Sequence, residues 1–76
     1  MNNDRRNRLK DVQQQLRVII CDIEEIRDEE ESAFENLPES LQKSERGERM
    51  QEAVENLQEL YDNLESAAED IESIID

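Results

Sequence analysis

The chain lacks most of the residues from which catalytic sites and disulfide-stabilised folds are built. Its 76 residues contain no His and no Trp, and only one each of Cys, Gly, Pro, Tyr and Phe. A single cysteine excludes an internal disulfide and fits a reducing compartment. Because the chain has no His, no Gly-rich phosphate loop and no Cys–His pair, it carries no catalytic motif. We therefore expect a protein that is not an enzyme and that binds no cofactor.

Long hydrophobic segments are missing as well. Only 34% of the residues are hydrophobic, and the longest apolar run, from Val18 to Cys21, is far too short to cross a membrane. The start of the chain, from Met1 to Lys10, does not follow the pattern of a signal peptide, so we expect a cytoplasmic protein. A chain this small buries a modest core and often needs oligomerisation for its stability.

Positive charge is scarce, with 9 basic residues against 22 acidic ones and a formal net charge of −13. Nucleic-acid phosphates and anionic membranes repel such a chain, which argues against direct binding to either. The natural partner is a protein with a basic surface. The chain has no EF-hand loop and no Glu-x-x-His pair, so we expect no metal site.

Apolar residues recur at alternating steps of three and four, which predicts two long helices, at about 4–36 and about 45–76. Asn3 or Asp4 is the expected N-cap of the first helix, and Ser44 that of the second. Pro38 should end the first helix, and the short joint at about 37–44 favours an antiparallel hairpin. The first row is Leu9, Val12, Leu16, Ile19, Ile23, Ile26, Glu30, Ala33 and Leu37, and its apolar pattern is broken once, by Glu30. The second row is Met50, Val54, Leu57, Tyr61, Leu64, Ala68, Ile71 and Ile75.

The second helix carries an additional apolar row that its hairpin partner does not need. This row repeats every seven residues and comprises Ala53, Leu60, Ala67 and Ile74. Three apolar positions in seven call for a further helix, and a symmetric dimer that forms a four-helix bundle is the simplest source of one. In the first helix, Val18, Ile20 and Cys21 are either scattered surface residues or a patch for self-association or a partner. We expect the dimer interface to comprise Ile20, Ala53, Leu60, Ala67 and Ile74.

Acidic residues dominate the second helix and the middle of the hairpin. From Met50 to Asp76 there are nine carboxylates and no basic residue, and eight of the nine recur at steps of three or four in a single stripe. In the hairpin they meet further carboxylates of the first helix, with only Arg27 nearby. The expected partner-binding surface, the acidic belt, comprises Asp22, Glu25, Asp28, Glu29, Glu52, Glu55, Glu59 and Asp62. The stripe is either a solvated helix surface or a decoy or docking surface for a basic cleft. Its charges advance about 5 Å each, a spacing loosely similar to the roughly 3.4 Å per phosphate of a DNA strand.

The two ends of the hairpin should be neutralised internally. The basic start of the first helix, residues 5–17, should lie beside the acidic end of the second, so that each offsets the other. At the joint, Lys43, Arg46 and Arg49 can pair with Glu31 and Glu35. Only the belt would then keep its negative charge exposed.

The joint and the start of the second helix resemble a group of known proteins. Three segments carry the resemblance: Asn36-Leu-Pro-Glu-Ser-Leu-Gln42, then Ser44-Glu-Arg46, then Glu52-Ala-Val-Glu-Asn-Leu57. Together they are similar to small acidic helical-hairpin proteins of bacteriophages and of mobile elements in Gram-positive bacteria. The resemblance implies a phage or prophage accessory protein of the host cytoplasm, and the group as a whole has no assigned role. Many small acidic phage proteins inhibit host defence or host DNA-binding enzymes, some as DNA mimics, so we expect an inhibitor that occupies a basic, nucleic-acid-binding surface of a host protein. The alternative is a structural or assembly coiled coil whose acidity only keeps it soluble.

Overall fold

A computed structural model describes all 76 residues as two long helices joined by a single short helical turn. Helix α1 spans Asn3–Glu35, α2 spans Glu39–Gln42 and α3 spans Glu45–Ile75. The two long helices pack along each other in a rod of 58 × 14 × 13 Å. The prediction of an all-α helical hairpin is confirmed. None of the helices combines the length and the hydropathy that a membrane span requires.

Side-chain caps fix where the long helices begin. The side-chain oxygen of Asn2 accepts a hydrogen bond from the backbone N–H of Arg5 at 2.8 Å, so the N-cap is Asn2 and the prediction of Asn3 or Asp4 was wrong. Asn2 has the extended backbone that a cap requires, whereas Asn3 and Asp4 already lie in the helix. Ser44 caps α3 as predicted, because its hydroxyl accepts from the backbone N–H of Gly47 at 3.4 Å.

The joint closes tightly over the end of α1. The side-chain amide nitrogen of Gln42 lies 3.3 Å from the carbonyl oxygens of Phe34 and Glu35 and 3.1 Å from that of Leu37. Phe34 and Glu35 lie in the last turn of α1, where no later N–H of the helix reaches their carbonyls, and the Phe34 carbonyl also accepts from the backbone N–H of Leu37 at 3.1 Å. Gln42 therefore satisfies part of the α1 C-terminus. Gly47 is buried under the last turn of α2. A Cβ atom there would lie 2.6 Å from the carbonyl oxygen of Leu41, and closer still to the carbonyl group of Gln42.

Helix α1 is rotated by about 50°, half of the roughly 100° between successive residues, from the predicted orientation. Leu9, Leu16, Ile23 and Leu37 are half-buried, but Val12, Ile19 and Ile26, which we had placed against α3, are about half exposed at 49%, 50% and 49%. The neighbouring row faces α3 in their place, and it comprises Arg6, Gln13, Ile20, Arg27 and Phe34. The exposed row, Val12, Ile19, Ile26 and Ala33, is the one that is wholly apolar. The structure instead covers Ile20 and Phe34 and accommodates the polar members of their row with hydrogen bonds.

Two polar side chains of this row bridge α1 to α3 and set the alignment of the helices. Gln13 is 9% exposed, and its amide donates to the carbonyl oxygen of Ala68 at 3.1 Å and to a carboxylate oxygen of Glu72 at 2.8 Å. Further along the rod, the guanidinium of Arg27 donates to the side-chain oxygen of Gln58. The bonds from Gln13 to Glu72 and from Arg27 to Gln58 each run between residues whose numbers sum to 85, which shows that the helices are antiparallel and indicates which residues lie level.

Candidate functional site

The acidic belt lies on the outer surface of the rod. All eight carboxylates of the predicted belt are exposed, four on α1 and four on α3. Asp28 forms an ion pair with Arg27 at 2.9 Å, and Asp62 accepts a hydrogen bond from Gln58 at 3.0 Å. The other six have neither an ion pair nor a hydrogen bond and point their charge into solvent; they are Asp22, Glu25, Glu29, Glu52, Glu55 and Glu59.

Arg27, the one cation in the middle of the rod, is largely withdrawn from the belt. Its side chain is only 18% exposed and its guanidinium carbon lies 5.4 Å from the centre of the Tyr61 ring, a cation–π geometry. The hydrogen bond to Asp28 is the main cause that raises the pKa of Arg27. A hydrogen bond with Glu24, followed by burial and the nearby charges, raises the pKa of Tyr61. Arg27 therefore joins the helices and offsets only one belt carboxylate.

Ion pairs do not neutralise the rest of the rod. The three ion pairs are all local: besides Arg27 with Asp28, Lys43 pairs with Glu39 at 3.4 Å and Arg49 with Glu45 at 3.2 Å. The expected pairing of these cations with Glu31 and Glu35 does not form, because carboxylates one helical turn away are nearer. No ion pair joins the basic start of α1 to the acidic end of α3, where Glu72 is held by Gln13.

The charge is distributed unevenly along the rod. The half nearer the chain ends, residues 1–22 and 64–76, carries 5 basic and 8 acidic residues and a net charge of −3. The half nearer the joint, residues 23–63, carries 4 basic and 14 acidic residues and a net charge of −10. The belt is therefore the outer surface of the strongly acidic half, together with Asp22 at its border.

The carboxylate stripe of α3 winds around the helix and does not stay on one face. Its members span 24 residues in seven steps, or about 3.4 residues per turn against 3.6 in the helix, so the stripe turns by about 120° along its length. Glu52, Glu55 and Glu59 lie on the outer surface, whereas Glu65 is half-buried and Glu72 is bonded to α1. Only the first half of the stripe belongs to the belt.

The largest concavity is an open groove of about 700 Å³ along the outside of α1. It runs from Cys21 to Asn36 and is lined by Glu24, Glu25, Asp28 and Glu29. No three of the carboxylates and Cys21 converge in a way that could hold a metal ion. The groove is an acidic strip that a basic side chain can enter from solvent.

A second surface, the apolar face, occupies one long side of the rod. It is formed by Val12, Ile19, Ile26 and Ala33 of α1 and by Ala53, Leu60, Ala67 and Ile74 of α3. Leu60 is 41% exposed and Ile74 55%, while Ala53 and Ala67 are half-buried. Ile20, the fifth residue of the predicted dimer interface, is only 4% exposed and lies between the helices, so it is not available to a second chain. The sequence did not distinguish Ile19 from Ile20, because they are adjacent in α1 and equally apolar.

No relative among known proteins indicates a role for this chain. No protein-family model, curated protein or solved structure matches the chain. Two features of the surface do not follow from the sequence pattern: the α1 half of the apolar face and the withdrawal of Arg27 from the belt. The sequence does contain an indication of the α1 half of the apolar face, because Phe34 and Ile20 share a different row at the heptad spacing.

Proposed function

We propose that this protein binds another protein through its acidic belt and occupies a basic, nucleic-acid-binding surface on that partner. The observation that carries the proposal is that six of the eight belt carboxylates have no partner within the chain. An ordinary solvated helix mixes Lys with Glu, because opposite charges one turn apart stabilise it and like charges destabilise it. A surface that gives up this stabilisation over most of its length is suited to a partner that supplies the positive charge.

We further propose that the protein acts as a homodimer in the form of a four-helix bundle, in the cytoplasm of a host cell. Two residues with apolar side chains, Ile20 and Ala68, are the only ones more than nine-tenths buried within one chain. A hairpin with so small a core has much to gain from a second copy. Two copies would also present two belts. The resemblance to small acidic phage proteins suggests an inhibitor of a host protein, with DNA mimicry as one form of this activity.

Capture from a host lysate with matched charge variants tests the role of the belt. In the belt variant, Glu25, Glu29, Glu55 and Glu59 are changed to Gln. In the control variant, four exposed acids outside the belt, Asp4, Asp11, Glu69 and Asp70, are changed to their amides. We expect nucleic-acid-binding proteins to be retained by the wild type and by the control variant and lost from the belt variant. Added wild-type protein should then displace DNA or RNA from the purified partner, with an affinity that falls steeply with salt.

The apolar face favours a second candidate function, that of an assembly protein whose acidity only maintains solubility. Such a protein would depend on Ile19, Ile26 and Leu60 and tolerate changes in the belt. If partners are retained equally by the wild type and the belt variant in 0.5 M salt, and are lost when Ile26 is changed to Ser, the inhibitor proposal is refuted and the assembly role is supported.

A further inference from the structure

We infer that the apolar face is the dimer interface and that two copies pack on it with their joints at opposite ends of the bundle. The face and the orientation rest on the proposed dimer and go beyond it. The face includes the α1 residues Val12, Ile19 and Ile26, which sequence reasoning had placed inside the hairpin.

The two halves of the apolar face lie on the same side of the rod. In α1 each member precedes a residue of the row that faces α3, as Ile19 precedes Ile20. In α3 each member likewise precedes a residue that faces α1, as Leu60 precedes Tyr61. In an antiparallel helix pair, positions that stand in this same relation to the packed row meet along one edge of the interface. The hydrogen bonds from Gln13 to Glu72 and from Arg27 to Gln58 then place Val12 within one residue of Ile74 along the rod, and Ile26 within one residue of Leu60.

The opposite edge of the rod shows how distinctive this face is. Each residue on that edge follows a member of the second packed row of its helix, and all of these residues are polar. They are Lys10, Arg17, Glu24 and Glu31 on α1, and Gln51, Gln58, Glu65 and Glu72 on α3. One edge of the hairpin is suited to water. The other carries eight apolar residues in four level pairs and is suited to a second apolar surface.

The size of the face fits a second hairpin. Its four level pairs extend from Val12 to Ala33, which is 21 residue steps or about 32 Å along the rod, and two helices side by side are about 20 Å wide when their side chains are included. The footprint of about 640 Å² per copy approaches the roughly 800 Å² per partner of a standard stable interface. A second copy supplies a face of the same length, width and apolar character.

Charge selects the orientation. If both joints lay at the same end, two acidic halves of net charge −10 would be adjacent along their whole length. With the joints at opposite ends, each acidic half lies beside a half of net charge −3, which contains the cations Arg5, Arg6, Arg8 and Lys10. Like-charge repulsion in the dimer is therefore smaller in the second arrangement.

Side-chain volume selects the same orientation. Along the face, the pair Val12 and Ile74 is large, whereas the pair Ala33 and Ala53 is small. With the joints at opposite ends, the large pair of one copy meets the small pair of the other, and Ile19 and Ala67 meet Ile26 and Leu60. The layers then contain 9 or 13 side-chain carbon atoms, against 4 to 16 with the joints at the same end. The alternative places four Ala side chains together in one layer, which would leave a gap.

Sedimentation equilibrium of three proteins tests the face. We expect the wild type at twice the chain mass of 9.0 kDa, Ile19→Glu at the mass of a single chain, and the matched control Val18→Glu still at twice that mass. Val18 is the preceding residue in the sequence, is 63% exposed and lies outside the apolar face, so the control adds the same charge to the same turn. If Ile19→Glu does not fold, Ile19→Ser and Ile74→Ser serve in its place, and each should weaken dimerisation at least tenfold.

Spin-label distances test the orientation without any destabilising change. A label on the native Cys21 lies within about two residues of the centre of the overlap, so its distance to the label on the second copy should be under about 35 Å in either orientation. A label on the exposed joint, at Ser40→Cys in a Cys21→Ser background, lies about 26 Å from the centre. Joints at opposite ends should give a distance of about 50 Å for this label.

The possible outcomes test the dimer, its interface and its orientation separately. A wild type that remains a monomer at about 100 μM, well above the Kd of a stable dimer, refutes the proposed dimer and leaves the apolar face to a different protein. A dimer that survives Ile19→Glu and both Ser variants refutes the face while the dimer stands. Short distances from both label positions, with the face confirmed, refute the opposite-end orientation alone.

Discussion

Changing the single glycine to alanine should destabilise this protein, although the same change in most helices is stabilising. Gly47 is the third residue of α3, where alanine has a higher helix propensity by up to about 1 kcal/mol. The added methyl group would, however, lie 2.6 Å from the carbonyl oxygen of Leu41 and closer to the carbonyl group of Gln42. Both are backbone groups of the joint, so no side-chain rotation relieves the overlap. Overpacking of this kind costs about 1–3 kcal/mol, and we expect a net loss of about 1–2 kcal/mol.

Thermal and urea unfolding followed by circular dichroism measures this loss. For a chain of 76 residues, 1 kcal/mol corresponds to about 4–8 °C in Tm, so Gly47→Ala should melt at least a few degrees lower. Ser66→Ala, on the exposed surface of the same helix, is the matched control and should gain a few tenths of a kcal/mol from propensity alone. A Gly47→Ala protein that is more stable than the wild type would show that the last turn of α2 does not rest on α3.

Three further predictions concern the interior of the hairpin. Gln13→Glu should lower the free energy of unfolding in urea by about 2–4 kcal/mol, because it loses the bond to Ala68 and places a second carboxylate beside Glu72. Gln13→Leu should be nearly neutral. Equal losses for the two variants would contradict the contact. Leu57→Ala and Leu64→Ala should each cost about 1–3 kcal/mol, less than a fully buried leucine, because both are only half-buried in the hairpin. The absorbance of the single tyrosine, Tyr61, should titrate with a midpoint above its ordinary pKa of about 10, and Glu24→Gln should lower that midpoint. A wild-type midpoint at or below about 10 would refute the contact between Tyr61 and Glu24. Because the pKa of Tyr61 is raised, the folded state retains a proton that the unfolded state loses, so stability should fall as pH rises above about 10.

The position of the candidate surfaces could be predicted from the sequence only in part. The belt carboxylates could be identified, because charged residues at heptad positions that do not face the partner helix lie on the surface. The α3 half of the apolar face could be identified as well, since its register is unambiguous. The α1 half could not be identified, because Ile19 and Ile20 are equally apolar and a rotation of α1 by about 50° exchanges them. The role of Arg27 was also missed, because a cation between two helices is stable only with the Gln58 and Tyr61 that the fold brings to it.

The sequence by itself determined that this chain is a helical hairpin. Heptad spacing, a Pro at the joint and a Ser that caps the second helix act over a few residues, and their effect does not depend on the rest of the molecule. The tertiary structure alone decided which side of α1 faces α3, because that choice compares the burial of whole rows of side chains across two helices. It buried Ile20 and Gln13 and left Val12, Ile19 and Ile26 exposed. Covering the largest apolar side chain, Phe34, together with two hydrogen-bonded polar residues outweighed a row that was apolar throughout.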